Sequence, residues 1–551
     1  MLSEARSSVT HPELLSGRQR LTMVAGCLLA LLLAALDQTI VGTAMPRVIA
    51  ELHGFEHYAW VTTAYLLTST AVVPIVGKLT DLYGRKRFLI GSAAGFVLAS
   101  MLCGAAQNMT QLVVFRGLQG IAGGTLMATV FTVISVIYPP AQRGRIQGVF
   151  SAVFGFASVV GPLLGGYLTD SLSWRWVFYV NLPVGIVVIT LLLAAFPEHR
   201  RPVKARRIDY AGAVVLVLAV TPLLLALSWG GRDYAWSSPV ILGLLAAAAV
   251  MTILFVGVES RTAEPIIPLE LFRESLVALS MCALLLMVMG MFGTILFVPL
   301  FAQGVLGQSA TSSGTVLMPM TLSMMVTSII GGQLVSRTGR YRLVGLAGIA
   351  CATAGMFLLS QMGPDTSYVT LARNMLLVGL GLGPVMPLFT LIAQNAVGLG
   401  QIGVATALAQ FTRSIGSTLG VALFGWLLTA RFDAALTHTL PPALRAQLTP
   451  EQLAQLRNPL ALLQPEGAAS AGLTATPGLT AGAAEAVRLA LAQALHETFL
   501  VGAILMAVAL VVVCFLREIP LRQSNLPPAA EHSVELVPAY ERSAAPLRSR
   551  D

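Results

Sequence analysis

About twenty consecutive apolar residues are enough to cross a bilayer as a helix, and this chain carries fourteen such runs. They cover about 21–45, 58–78, 88–107, 110–134, 146–168, 175–196, 210–229, 239–258, 275–302, 312–334, 343–361, 367–391, 403–428 and 498–516. Only 11 % of the 551 residues are charged, where a soluble domain has roughly 25 %. The pattern predicts an all-α polytopic membrane protein with fourteen transmembrane helices. The first run is too long for a signal peptide and no small-residue cleavage site closes it, so it is expected to remain as the first span.

Lys and Arg set the orientation. With the N-terminus in the cytoplasm, GRKR (84–87), HRRPVKARR (199–207) and SRTGRYR (336–342) all fall inside, and so does the C-terminus. The net charge of +9 is then topological and implies no nucleic-acid partner. The six tryptophans fall at outer span ends or in outer loops, as an interfacial belt requires. The five cysteines lie within the runs at no ligand spacing, and the seven histidines lie outside them. No metal site, disulfide framework or cofactor is expected. Gly77-Lys78 is followed by Leu79, so there is no GxxxxGK[ST] phosphate loop to hydrolyse ATP, and no polar cluster suggests an enzyme.

The runs divide the chain. A cytoplasmic tail (1–20) precedes six spans (21–196), then a basic link with two further spans (197–258), then six more spans (259–516). A Pro/Ala/Ser-rich cytoplasmic tail (517–551) is expected to be disordered. The outer loop 429–497 contains LTPEQLAQL, where Thr449 can cap a helix with Pro450 in its first turn. Later it contains AAEAVRLALAQALHETF, a helical pattern running into the last span, and together these predict two short helices on the outer surface. GKLTDLYGRKR (77–87) is echoed by GQLVSRTGRYR (332–342), and Arg116 by Arg373, both about 255 residues on. A parallel repeat of two six-helix halves follows, of the kind that places a substrate site near the midplane.

Three of the charges inside the runs stand out: Asp37 in LDQTIVGTAMP (36–46), Arg116 and Arg413. Intramembrane charges are costly and by default mark a pathway. Arg116 follows the start of its inward-running span by about six residues, roughly 9 Å. Asp37 precedes the end of its outward-running span by about seven or eight, roughly 11 Å. The two share a depth, so they form either a static ion pair or a pair in which Asp37 carries a proton. Burial favours a neutral carboxyl and a neighbouring cation favours a charged one, a balance that suits loading and unloading. In the 77–87 loop, Gly77 and Gly84 allow a tight turn and Arg85 fixes topology. Asp81 can either offset the local cations or meet a helix N-terminus in the opposite half. Gly155, Gly161, Pro162, Gly165 and Gly166 form a small-residue face suited to close helix packing.

Taken in order, LDQTIVGTAMP, GKLTDLYGRKR, LVVFRGLQGIAGG (112–124), GFASVVGPLLGG (155–166) and WRWVFYVNLPVG (174–185) resemble the major facilitator superfamily, specifically its fourteen-span drug:proton antiporter branch. The resemblance implies efflux of lipophilic, often cationic, drug-like compounds in exchange for protons, by a monomer in the cell membrane. It implies proton coupling at Asp37 with Arg116, a conformational latch at Gly77, Asp81, Gly84 and Arg85, and an antiporter motif at Gly155–Gly166. Arg413 is a possible charge of the second half. A narrow-specificity exporter of a metabolite, lipid or siderophore in the same fold is the alternative.

Overall fold

Within a bilayer each backbone polar group must be satisfied inside its own segment, and helices do this. The computed structural model describes residues 17–52, 58–195, 209–231, 233–308, 315–442 and 477–522. Fourteen helices among them are long and apolar enough to cross a membrane. They are α1 (Gly17–Leu52), α2 (Tyr58–Tyr83), α3 (Arg85–Gly104), α4 (Met109–Ile137), α5 (Pro140–Ser171) and α6 (Trp176–Ala195, interrupted at Val180). Next come α7 (Tyr210–Trp229) and α8 (Pro239–Glu259). The series closes with α9 (Ser275–Gly304), α10 (Met318–Thr338), α11 (Tyr341–Ser360), α12 (Tyr368–Ala396), α13 (Ile402–Thr439) and α14 (Pro477–Cys514).

Local chemistry starts and stops these helices. Asn108 caps α4 by accepting from the Gln111 N–H at 2.8 Å, and Ser367 caps α12 by accepting from that of Thr370 at 3.2 Å. Gly84 (φ 91°) and Gly339 (φ 70°) take the left-handed conformations that turn α2 into α3 and α10 into α11.

The packing of α1–α6 is repeated by α9–α14. The pairs α1–α5, α2–α4, α3–α4, α1–α6 and α3–α6 recur as α9–α13, α10–α12, α11–α12, α9–α14 and α11–α14. The repeat reaches single hydrogen bonds. Thr68 Oγ1 donates to the Gly117 carbonyl at 2.8 Å, and Ser323 Oγ donates to that of Leu376 at 3.1 Å. From Thr68 to Ser323 is a step of 255 residues, but from Gly117 to Leu376 it is 259. Applied to Arg116, the second step lands on buried Met375. Arg373 is exposed and, among the described residues, bonds only its neighbour Asn374. The likeness of Arg116 and Arg373 is therefore one of sequence and not of place.

The two sets meet through α2 with α13 and α5 with α10, while α7 and α8 pair beside α2 and α13. In the outer loop, α13 continues unbroken to Thr439, past its apolar run, and α14 begins at Pro477, so the helical pattern of AAEAVRLALAQALHETF runs into the last span. Their extensions bind each other, Arg431 to Glu497 at 2.8 Å and Thr439 Oγ1 to the Ala486 carbonyl at 3.1 Å. Ala- and Leu-rich sequence is strongly helix-forming, and no proline or glycine intervenes at 429–439 or 484–497. His438 and His496 consequently sit on these helices, and His496 Nδ1 bonds the Ser360 carbonyl. Thr449 and Pro450, most of the basic link and most of both tails lie outside the described residues.

Candidate functional site

Asp37 is wholly buried, at 0 % exposure. Its Oδ2 accepts from Arg116 Nη1 at 2.6 Å. Its Oδ1 accepts from Gln119 Nε2 at 2.8 Å and from Asn181 Nδ2 at 3.1 Å. The guanidinium is anchored in turn: Nη1 also donates to Gln119 Oε1 at 2.7 Å, Nε donates to the Val61 carbonyl at 3.3 Å, and the group lies 4.3 Å from the Tyr65 ring centroid. Asn181 is held by Ser100, whose hydroxyl donates to the Phe178 carbonyl at 2.9 Å. Five helices (α1, α2, α3, α4 and α6) thus converge on one carboxylate.

The depth match between Asp37 and Arg116 needs only helix geometry, so their proximity was readable from spacing. Gln119 and Asn181 were not singled out beforehand. Each is an amide inside an apolar run, and that was the available signal. Asn181 follows the interruption of α6 at Val180.

At the end of the bundle bearing the 84–87 turn, the end expected to face inward, the two halves touch closely. Asp81 Oδ1 accepts from Arg85 Nη2 at 2.9 Å, and Oδ2 accepts from the Val404 N–H at 3.2 Å. Asp81 therefore does both things open to it: it meets a cation and it sits at the N-terminus of α13, where the helix dipole favours a negative charge. A Cβ at Gly403 would stand 2.4 Å from Asp81 Oδ2, and one at Gly77 would stand 2.3 Å from the Ala407 Cβ. Across the α5–α10 seam, a Cβ at Gly144 would come within 2.6 Å of the Gly332 carbonyl oxygen, and one at Gly148 within 2.8 Å of the Ile329 Cα. Arg143 Nη1 donates to Gln394 Oε1 at 3.0 Å, and Gln394 Nε2 donates to Thr406 Oγ1 at 2.8 Å. This chain links α5, α12 and α13. Lys78 Nζ reaches Glu264 Oε2 at 2.6 Å and ties α2 to the segment after α8.

The glycines of the fifth helix divide by partner. Gly161 and Gly165 let α5 lie against α1, where an added Cβ would meet Thr39 Oγ1 at 2.0 Å and Thr43 Oγ1 at 2.2 Å. Gly155 faces Thr321 of α10 in ordinary contact, Gly166 faces open space, and Pro162 is an exposed residue inside the helix. The backbone-to-backbone seam is made by Gly144 and Gly148, one and two turns above the helix start, which the motif does not include. Arg413 is not brought to Asp37. It sits on α13, and its buried Nε has no hydrogen-bond partner among the described residues.

At the outer end, Arg175 pairs with Glu51 and Trp174 Nε1 donates to Glu51 Oε2 at 2.8 Å. The Arg175 guanidinium is the main cause that holds this carboxyl below its ordinary range, and the Trp174 bond adds to it against a smaller opposing effect of burial.

Several known proteins resemble this chain. The Multidrug transporter protein MdtP of Bacillus subtilis (strain 168) is 42 % identical over 515 residues, 92 % of this chain and 94 % of that protein. Multidrug resistance protein 3 of the same organism is 41 % identical over 417 residues, 75 % of this chain and 80 % of its own length. In three dimensions the chain resembles the human organic anion transporter MFSD10 (TETRAN), with a TM-score of 0.55 at 14 % identity, over 88 % of this chain and 99 % of that one. At that identity the likeness is one of fold alone. The profile of the Major Facilitator Superfamily matches residues 27–421. That match, the near full-length relatives and the fourteen apolar helices together make the chain a multi-pass membrane transporter of the Major Facilitator Superfamily, and not an enzyme.

Proposed function

We propose that this transporter exports lipophilic, drug-like compounds in exchange for protons, and that Asp37 carries the proton. The observation that carries this reading is the Asp37 carboxylate itself. It is fully buried in the first half, with both oxygens occupied by donors from Arg116, Gln119 and Asn181. An ionised carboxylate is satisfied there. A protonated one would leave Arg116 with less to hold, so loading a proton changes the bonding of five helices at once. Two similar proteins named for multidrug transport or resistance support the drug-like substrate class.

In the proposed cycle the halves α1–α6 and α9–α14 rock as units. The basic turns face the cytoplasm, as do both termini, in the cell membrane. The seam at Gly144 and Gly332 and the contact of Asp81 with α13 then close the cytoplasmic side. Asp37 takes a proton from outside, the seam opens, and the proton leaves inward as a substrate enters the space between the halves. The reverse movement expels the substrate. One proton falling through 100 mV supplies about 2.3 kcal/mol, roughly a fiftyfold gradient. The cycle is assigned to a monomer.

The test is dye export by proteoliposomes under an imposed pH gradient, comparing native protein with Asp37→Asn. Loss of pH-driven export with retained dye binding is expected. Export that continues undiminished in the variant would refute the role of Asp37. Movement of a single compound out of a broad panel would point to the narrow-specificity exporter.

A further inference from the structure

The second half holds a half-buried arginine inside a membrane-spanning helix. Arg413 lies eleven residues into α13, about 16 Å from the inner end at 1.5 Å per residue. That is near the middle of a hydrocarbon core about 30 Å thick. Helix α9, packed against it, contains no charged residue, and neither does α14 from Thr498 to Cys514. Asp37 is engaged elsewhere, on Arg116.

Arg413 belongs to a polar stripe. Thr406, Gln410, Arg413 and Ser417 recur at spacings of four, three and four, which places them on one helical face. The direction of that face is fixed at its base, where Thr406 bonds Gln394 of α12. The same helix also touches α4 of the first half, so the stripe rises from the sealed inner end toward the space between the halves. Above the base, Ser417 is satisfied within the helix, its Oγ donating to the Ser414 carbonyl at 2.8 Å. Gln410 and Arg413 are half-buried, and no residue among those described accepts from Arg413 Nε. Thr390 lies one turn before Gln394 on the same face of α12, and its buried hydroxyl is likewise unpartnered. A half-buried guanidinium at this depth is tolerable only where it faces protein or a water-filled cavity. A guanidinium, an amide and a hydroxyl on these packed stretches of α12 and α13 are donors that suit an anionic acceptor.

We propose that Arg413, with Gln410 and Thr390, forms a subsite in the second half for the carboxylate of an amphiphilic substrate. Asp37 is wholly buried and held by Arg116, so it offers such a ligand no exposed negative charge. Anionic and zwitterionic compounds bearing a carboxylate are therefore favoured over their neutral or cationic esters. This rests on the exporter reading and sharpens its substrate class.

The experiment measures fluorescence anisotropy of a rhodamine with a free carboxylate, and of its methyl ester, on purified full-length protein. Native protein should bind the acid about tenfold more tightly than the ester, the size of a charge-assisted hydrogen bond. Arg413→Gln should lose that preference and keep ester binding, and Arg413→Lys should retain part of it. If Arg413→Gln does not fold, a retained preference in the Lys variant still supports the subsite. Equal binding of the two dyes by native protein overturns it, and so does a preference that survives in Arg413→Gln. Loss of both dyes in Arg413→Gln, with equal recovery of both in Arg413→Lys, would mean that the residue serves packing. These outcomes are independent of pH-driven export, which alone decides the role of Asp37.

Discussion

The two halves share a helical plan and differ in how each treats a charge inside the membrane. Around Asp37 and Arg116, three donors fall on one carboxylate and an aromatic ring covers the cation. Around Arg413, the buried Nε finds no partner among the described residues. A buried pair need not stabilise a fold, because desolvation offsets its Coulomb energy, whereas Arg413 is only half-buried. Symmetric architecture thus carries asymmetric chemistry: the first half has a self-contained acid, and the second has a cation whose Nε is unpaired among the described residues.

The largest expected effect is that of Asp37→Asn, which removes the charge and should abolish pH-driven export while the protein still folds. Wild-type rates in that variant would erase the contrast between the halves. Next comes the seam. Gly144→Leu forces a side chain into the Gly332 backbone, and overpacking costs about 1–3 kcal/mol. The closed inner end should open by roughly five- to hundredfold in population, read as faster maleimide labelling of a cysteine introduced at Ile329. No change in labelling would mean that this contact does not gate the inner side.

A smaller effect separates the two arginines that look alike in sequence. Arg116→Lys loses the Nε bond to Val61 and the planar group over Tyr65, and should slow export about tenfold. Arg373→Lys, on an exposed side chain, should leave it unchanged, and equal losses in the two variants would restore the simple 255-residue correspondence. The smallest effect belongs to Glu51→Gln at the outer clamp, an exposed pair contributing at most about 1 kcal/mol. Arg175 lowers the Glu51 carboxyl from its ordinary 4.5. Its contribution is therefore complete above that value and lost as pH falls through the lowered one. Melting temperatures of native and variant protein should differ slightly at neutral pH and converge in acid; a gap that widens in acid contradicts the assignment.

Much of this was legible in one dimension. Apolar runs name spans because a bilayer leaves the backbone no alternative to the helix, and the level of Asp37 with Arg116 follows from a fixed rise per residue. In the outer loop, apolar length does not set the limit of a helix. Helix propensity carries α13 and α14 past it, taking His438 and His496 with them. The motif glycines were read as one face. Gly161 and Gly165 in fact serve α1, while Gly144 and Gly148 form the seam, because close approach depends on which helix lies opposite.

The sequence by itself determined fourteen spans, a parallel repeat and a carboxylate matched in depth to a cation, since each is set by distances along the chain. Tertiary structure alone decided that Gln119 and Asn181 complete the bonding of Asp37, that Met375 stands where Arg116 would repeat, and that Arg413 goes unanswered. Those outcomes depend on which faces of different helices meet, and a four-residue shift between the two halves is enough to turn one side chain inward and another out.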